Sequence, residues 1–440
     1  MLNEFVHTEG SALVNMELRI SATQSIPILD KSVIVSRVEF TETCDGISEA
    51  MFVVYTSTRD YVDKILKGAQ SSSTPRLRWR IGVGSNTSGA LWMPWQEHII
   101  KSSSSNAVGL GSGISYTTVI KTADLLWEID RINKTEVRKG KISDIVKGMV
   151  EAYELPYVIE PTKTKVIYYQ SFISDYEFIR KRIAPRAINE KKRGNYQFYM
   201  RDGTVHFHTI DYQSDLKSFT YYGSPGQELT VYDRTQELID AGVAGVKATF
   251  CDPYTGMSGA ELSSPKNTLK LGNAVSDIGE LTGAKRNIFI TVGNNREADQ
   301  VGLASNIYES AKLNSFTLSM RIPNTTFFRV NDLCNIIIQP SSGQAPSTSG
   351  IYQVFRVLHN VDNNSLISEI VFRRGEFTTK QKTFASEDGA GQAMKPIRTA
   401  EGQDPNFRSV ASSAITKGTG KQISNTRTVL DTLNPNLPST

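Results

Sequence analysis

The sequence predicts an α+β protein: strand-rich antiparallel blocks on either side of a helical and hairpin insert, with an extended C-terminal arm. Three observations carry this. Residues 32–120 hold runs that alternate or are dense in β-branched and aromatic residues, such as Met51–Thr58 and Arg76–Val83, with polar breaks between them. Residues 121–219 change to helical spacing and then to a hairpin signal. Residues 316–374 return to four strand-like runs separated by turns.

The chain has 440 residues, more than one typical core accommodates, so two or three folded domains are expected. A hydrophobic content of 39% and a charged content of 21% suit a soluble, folded protein. The net charge of +4 is small and shows no concentrated basic face, so direct nucleic-acid recognition is not expected. Cys44, Cys251 and Cys334 are odd in number and far apart, which reads as reduced core thiols of a protein made in a cytoplasm. No apolar run reaches the roughly 18 residues of a membrane span, so no membrane partner is expected. Met1-Leu-Asn-Glu-Phe lacks the basic-then-apolar order of a secretory signal.

In chain order, residues 1–30 resist placement. Val33, Val35, Val38 and Phe40 alternate imperfectly, and Leu77, Trp79 and Ile81 alternate with Arg76, Arg78 and Arg80. Thr58–Gly68 reads as a short helix; Ser102–Ser105 and the glycine-rich 109–113 read as loops. Residues 1–120 therefore suit a small antiparallel barrel or sandwich. In 121–219, Leu125, Leu126 and Ile129 share a helix face, as do Ile142, Ile145, Val146, Met149 and Val150. Ser174 and Glu177 form a capping box ahead of the stripe Tyr176, Ile179, Ile183 and Ala187, which Pro185 kinks or ends. Lys191–Arg193 then falls in a loop. Asp202-Gly203 is a type I′ hairpin signal that sets Phe198 opposite Phe207 and Met200 opposite Val205. In 220–377, Leu229–Pro253 leans to strand, 254–285 is a long polar excursion, and Asn295–Ser315 is a helix ahead of the last strands. From 378 to 440 Ser, Thr, Gly, Asn and Gln dominate. That segment is either a disordered tail or an arm that docks through Val429, Leu430 and Leu433.

Three stretches carry a family resemblance, one of them GKISDIVKGMVEAYEL, Gly140 to Leu155, which resembles the helix between the first barrel and the core helix of the family named next. The run SDYEFIRKRI…YQFYMRDGTVHF, Ser174 to Phe207, resembles the core of baseplate hub proteins of contractile phage tails (tail hub and late-control proteins) and the N-terminal part of type VI secretion spikes. Residues 316–374, including the Gly350-Ile-Tyr-Gln-Val strand ahead of His359, resemble the closing barrel of the same proteins. The resemblance spans roughly residues 120–375; the first 119 residues carry little of it. It implies two tube-like antiparallel β-barrel domains, 1–120 and 220–377, joined by the insert 121–219, with the arm at 378–440. It further implies a homotrimeric, pseudo-sixfold hub in a virion, assembled in the host cytoplasm and joining a tail tube protein to a central spike protein beside other baseplate proteins. The genome passes such a channel without being read.

The residues offer little chemistry. His206 and His208 share a strand face, a spacing that suits a metal only with a third ligand. Asp175 and Glu177 sit in a first helical turn, where acids are favoured by the helix dipole; as a catalytic pair they would suit a tail-associated cell-wall hydrolase. Gly109–Gly113 lacks the Lys-Ser/Thr of a phosphate loop. No catalytic, cofactor-binding or metal-ligating residue is assigned, and no cofactor or enzymatic activity is expected. A type VI spike is a further alternative, although the chain has no short-repeat β-helix segment. The arginines at 76, 78 and 80 have two readings, a solvated strand face or a lumen or ring-contact face.

Overall fold

A computed structural model describes residues 11–19, 25–27, 33–57, 76–84, 90–110, 113–190, 194–210, 212, 216–234, 246–251, 258–262, 286–291, 302–338, 348–362 and 365–374. Alternation builds the first part. The strands are β1 (Ser11–Arg19), β2 (Ser25–Pro27), β3 (Val33–Thr43), β4 (Glu49–Thr56), β5 (Arg76–Gly84), β6 (Leu91–Trp92), β7 (Gln96–Leu110) and β8 (Gly113–Asp124). They pair in the order β2-β1-β5-β7-β8-β4-β3, with β6 on the far end of β5. On β5, Leu77, Trp79 and Ile81 are fully buried while the alternate arginines face outward, as the two-residue period of a strand requires. Trp79 meets Phe40 and Phe52 edge-on, with ring centroids 4.7 and 5.2 Å away. Gly82 lets the Trp92 ring close on the strand: a Cβ there would stand 2.6 Å from that ring.

The insert follows. Its elements are α1 (Leu126–Asp130), β9 (Asn133–Lys141), α2 (Ile142–Glu151), β10 (Tyr157–Ile159), β11 (Lys165–Ser174), α3 (Asp175–Glu177), β12 (Gln197–Arg201) and β13 (Thr204–His208). Between α3 and β12 the chain runs through a π-helical stretch, Phe178–Ile183, and a 3₁₀ turn, Ala184–Arg186. Ser174 Oγ accepts the Glu177 N–H at 3.0 Å, the forward half of the predicted capping box. Glu177 itself is held by Lys181 at 2.6 Å. Pro185 lies in the closing turn, and Ala187 is extended, so the helical run ends where the proline predicts. Tyr176, Ile179, Ile183 and Ala187 are buried, with the five apolar residues of α2, in one core. The hairpin has the predicted register, Phe198 opposite Phe207 and Met200 opposite Val205, and Asp202 and Gly203 have φ of 51° and 74°.

The last part comprises β14 (Leu216–Tyr221), β15 (Glu228–Asp233), β16 (Val246–Cys251), β17 (Ser258–Leu262), β18 (Arg286–Thr291), α4 (Leu303–Leu313), β19 (Phe316–Pro323), β20 (Leu333–Ile338), β21 (Gly350–Asp362) and β22 (Ser365–Arg374). β16, β17 and β18 form a small separate sheet. The others pair β15-β19-β22-β21-β20-β14 around a second core that includes Phe316, Met320, Phe328, Tyr352 and Phe372.

The structure changes the expected architecture in one respect. The chain is mostly β with few short helices, and the two strand-rich blocks are sectors of one large, largely antiparallel sheet rather than separate barrels. β21 is the cause. Its first half pairs with β20, the register shifts between Val354 and Arg356, and its second half pairs with β3 from Arg356 opposite Thr43 to Asp362 opposite Arg37. A thirteen-residue strand is long enough to serve both sectors. Among the described residues, pairing closes neither sector on itself.

Smaller corrections follow. Ser102–Ser105 is strand, not loop: β7 continues through it to a tip at Leu110 and Gly113, its ladder satisfied by β8. The polar excursion at 254–285 contains β17. The predicted helix at 58–68, the loop at 191–193 and the arm at 378–440 lie outside the described residues. Cys44 and Cys334 are buried free thiols, and burial pushes the Cys44 thiol up to about 12. Among the described residues, no helix is long and apolar enough to cross a membrane.

Candidate functional site: a buried ionic junction

Between the insert and the two sheet sectors lies a layer of buried charge. Its centre is the segment Asn324–Asp332, which links β19 to β20. Asn331, at φ 64°, turns that segment back onto β21: its N–H donates to Val354 O at 2.8 Å, and the Val354 N–H donates to Asp332 O at 2.9 Å. The turn aims Arg329 one way and the Asp332 carboxylate the other.

Arg329 reaches the first sector. Its Nε donates to Glu42 Oε2 at 3.0 Å and its Nη2 to Glu42 Oε1 at 2.6 Å, a bidentate pair. Glu42 extends the inward series Val38 and Phe40 of β3, so strand alternation places its carboxylate inside. Its Oε2 also accepts the Val330 N–H at 3.2 Å. Arg329 Nη2 lies 2.7 Å from Asp202 Oδ1, at the tip of the insert hairpin, and Gln96 Nε2 donates to that same oxygen at 3.1 Å. Asp332 gathers cations from two directions: Arg201 at 2.8 Å and Lys217 at 2.6 Å, with the Arg329 N–H at 3.1 Å. Gln353 completes the layer, donating to Gln197 at 3.0 Å and Asn331 at 2.6 Å while accepting from Arg373 at 2.6 Å.

Electrostatics agree with the geometry. Burial alone would pull the Arg329 and Arg201 guanidinium groups down, but Glu42 and Asp202 around the first, and Asp332 beside the second, hold both above the usual arginine range. For Asp202, burial is the largest single influence and pushes up, but Arg329, Gln96 and Arg201 together outweigh it and leave the carboxyl below the ordinary value. Every carboxylate of the layer is saturated by cations or N–H groups. The arrangement therefore fastens three cores together.

The residues singled out in the sequence fall elsewhere or serve this fastening. His206 and His208 share a face, and it is the junction face of the hairpin. The His208 Nδ1 lies 2.7 Å from Thr209 O and its Nε2 3.3 Å from both Tyr199 Oη and His206 Nδ1. A proton on Nδ1 satisfies the carbonyl and leaves Nε2 as acceptor. Burial, helped by His208 and Arg201, lowers His206 to about 4, so it is neutral at pH 7. Among the described residues, no group of three His, Cys, Asp or Glu side chains is placed to hold a metal. Asp175 and Glu177 part company. Asp175 is wholly buried against Lys134 at 2.5 Å, Gln170 at 2.9 Å and Arg138 at 3.3 Å, whereas Glu177 faces outward to Lys181. On β5, Arg76 pairs with Glu97 at 3.0 Å and Arg78 with Glu17 at 3.6 Å; Arg78 and Arg80 each stack on Trp95 at 4.4 Å.

Sequence reasoning missed Glu42, Arg329, Asp332 and Gln353. Arg329 and Asp332 read as ordinary turn residues, and Glu42 and Arg329 are 287 residues apart, so no local pattern joins them. The available signal was a glutamate at an inward position of β3.

No protein-family model matches the sequence, and no curated protein matches it. Solved structures do. A tail protein from Neisseria meningitidis MC58 is similar over 82% of this chain and 96% of its own, at 11% identity and a TM-score of 0.50. The 43 kDa tail protein of prophage MuSo2 from Shewanella oneidensis is similar over 82% and 99%, at 7% identity and a TM-score of 0.47. An E. coli component of the type VI secretion system, itself described as similar to the T4 bacteriophage tail proteins gp27 and gp5, is similar over 80% and 76%, at 7% identity and a TM-score of 0.42. The chain thus shares the fold of the Neisseria tail protein.

Proposed function

We propose that this chain is a structural hub of a contractile phage tail, a homotrimer that joins a sixfold tail tube to a threefold central spike. One observation carries the reading: a single chain supplies two sheet sectors, each with its own core, in the fold of a tail protein. Three such chains present six sheet sectors. A ring of that kind meets a sixfold object on one side and a threefold object on the other, and closed rings of repeated contacts are the usual way to build it. On this reading residues 1–120 and 220–377 are the two tube-like units, the insert 121–219 braces them, and 378–440 is the arm. The open edges of the sheet, β2, β14 and β15, are the edges that neighbouring chains cover, since an open strand edge invites pairing. Its location is the virion tail. The role is architectural rather than enzymatic, in keeping with carboxylates that are buried in ion pairs or split between surroundings.

Mass photometry of the purified chain, alone and with tube and spike proteins, tests this. A trimer is expected. A chain that stays monomeric in the presence of both would overturn the reading, and cell-wall clearing lost in Asp175→Asn or Glu177→Gln would replace it with a hydrolase.

A further inference from the structure

The two-stranded ribbon of β9 and β11 stands outside the large sheet and has two unlike faces. Register puts Lys165 opposite Lys141, Ile167 opposite Lys139 and Tyr169 opposite Val137 on one face. On the other face Val166 lies opposite Gly140, Tyr168 opposite Arg138 and Gln170 opposite Glu136; Val166 and Gln170 are buried, so this is the inner face. The outer face is apolar at one end and basic at the other. Val137, Tyr169 and Phe172 are 66%, 61% and 74% exposed. The lysines occupy the end nearest α2. The ribbon's own glutamate, Glu136, belongs to the inner face and pairs with Arg138 at 2.8 Å.

Phe172 adds an independent sign. It sits in the bulge between Gln170 and Ile173 at φ 48°, a left-handed conformation that a bulky residue adopts only at a cost. Its N–H donates to Thr135 Oγ1 at 3.2 Å, which pins the bulge and turns the ring outward. Nothing within the described chain covers that ring.

We infer that the outer face of this ribbon docks an extended segment, acidic at one end and apolar at the other, of a different protein of the tail particle. The inference rests on the proposed tail role. Charge complementarity selects the occupant: three lysines without a carboxylate on their face call for acidic side chains. The chain's own net charge is +4 and residues 378–440 hold more Lys and Arg than Asp and Glu, which favours another protein as the source of the acidic segment. A lipid surface fits less well, since the lysines lie at one end instead of around the apolar residues. An exposed apolar patch with a charged border is the usual mark of a protein contact.

The test places a photo-crosslinking benzoylphenylalanine at position 172 of the full chain, in particles assembled with the chain's own tail proteins. The expected product joins another protein at a peptide that carries carboxylates beside apolar residues. Its yield should fall about tenfold in Lys139→Glu/Lys165→Glu, while the same crosslinker at the exposed Ile34 is unaffected by that change. No crosslink in intact particles, a crosslink to a second copy of this chain, or a yield indifferent to the charge reversal would overturn the inference. So would flotation of the full chain with vesicles of one-third phosphatidylserine that the same reversal abolishes. If the chain enters no particle, the tail role falls first, and the inference falls with it.

Discussion

At the junction, charge is buried; on the β9–β11 ribbon, apolar surface is exposed. Arg329 and Glu42 face each other in the interior with side chains 5% and 1% exposed, whereas Phe172 stands 74% exposed on a two-stranded ribbon. Each reverses the ordinary distribution, and each reversal costs stability unless something compensates. At the junction the compensation is internal, a set of ion pairs that spans three cores and, among the described residues, leaves only single nitrogens such as Arg329 Nη1 without a partner. On the ribbon it is external. Buried charge here fixes how the parts of one chain sit together, and exposed apolar surface marks where the chain meets something else.

The sharpest way to break the comparison is to remove one partner of the junction. Arg329→Met leaves Glu42 buried without its cation and should cost about 3–5 kcal/mol, read by denaturant unfolding. Adding Glu42→Gln should recover much of that loss, because the stranded charge is gone. A single variant as stable as the parent would mean that water already reaches the pair.

Acid is the next lever. His98 and His359 are lowered to about 3, chiefly by burial, and His206 to about 4. These folded-state values lie below the unfolded value near 6.5, so their contribution is full above that pH and is lost as pH falls toward 4 and 3. Asp124 works in the opposite sense. Burial raises its carboxyl to about 7, so stability contributed by its protonated form is lost as pH rises from about 4 through 7. The three histidines outnumber the one carboxyl, so stability should decline between pH 6.5 and 4, and His98→Gln with His359→Gln should flatten the decline. Hydrogen exchange at pH 4.5 should show the β3–β21 seam loosening before the ribbon.

Asp175→Asn probes the boundary between the two regions, since Asp175 lies under the ribbon but is wholly buried. Lys134 and Arg138 are partly exposed and can recover solvation, so the expected cost is about 1–3 kcal/mol, less than at Arg329. The smallest effect belongs to the outer face. Phe172→Gly relieves a left-handed phenylalanine and should leave stability unchanged or raise it by up to about 1 kcal/mol, while abolishing the ribbon contact. A large loss of stability would make Phe172 a core residue in disguise.

The hairpin and the helical stripe are legible in the sequence because their determinants are local. Asp202-Gly203 fixes the turn, the turn fixes the register, and the period-two pattern fixes which side is buried. The alternation of β5 is legible for the same reason. The β9 strand, NKTEVRKGK, is not, because neither of its faces carries the apolar alternation that marks a strand. The serine run in β7 reads as loop because serine is common in loops, yet a long exposed hairpin needs only that its ladder be satisfied. The seam is hidden for a different reason. Nothing local tells that the end of β21 pairs with β3 and so merges two expected barrels into sectors of one sheet. The junction is hidden in the same way, since its members come together only when the seam does.

The central claim is that one polypeptide folds two ring-forming sheet sectors, so that three copies stand in for six. Electron cryo-microscopy of the chain bound to its tail tube, processed without imposed symmetry, tests it most directly. The account predicts three copies around a central channel, with six similar sheet densities against the tube and threefold order on the far side. Six copies in that layer, or three copies of which only one sector meets the tube, would contradict it.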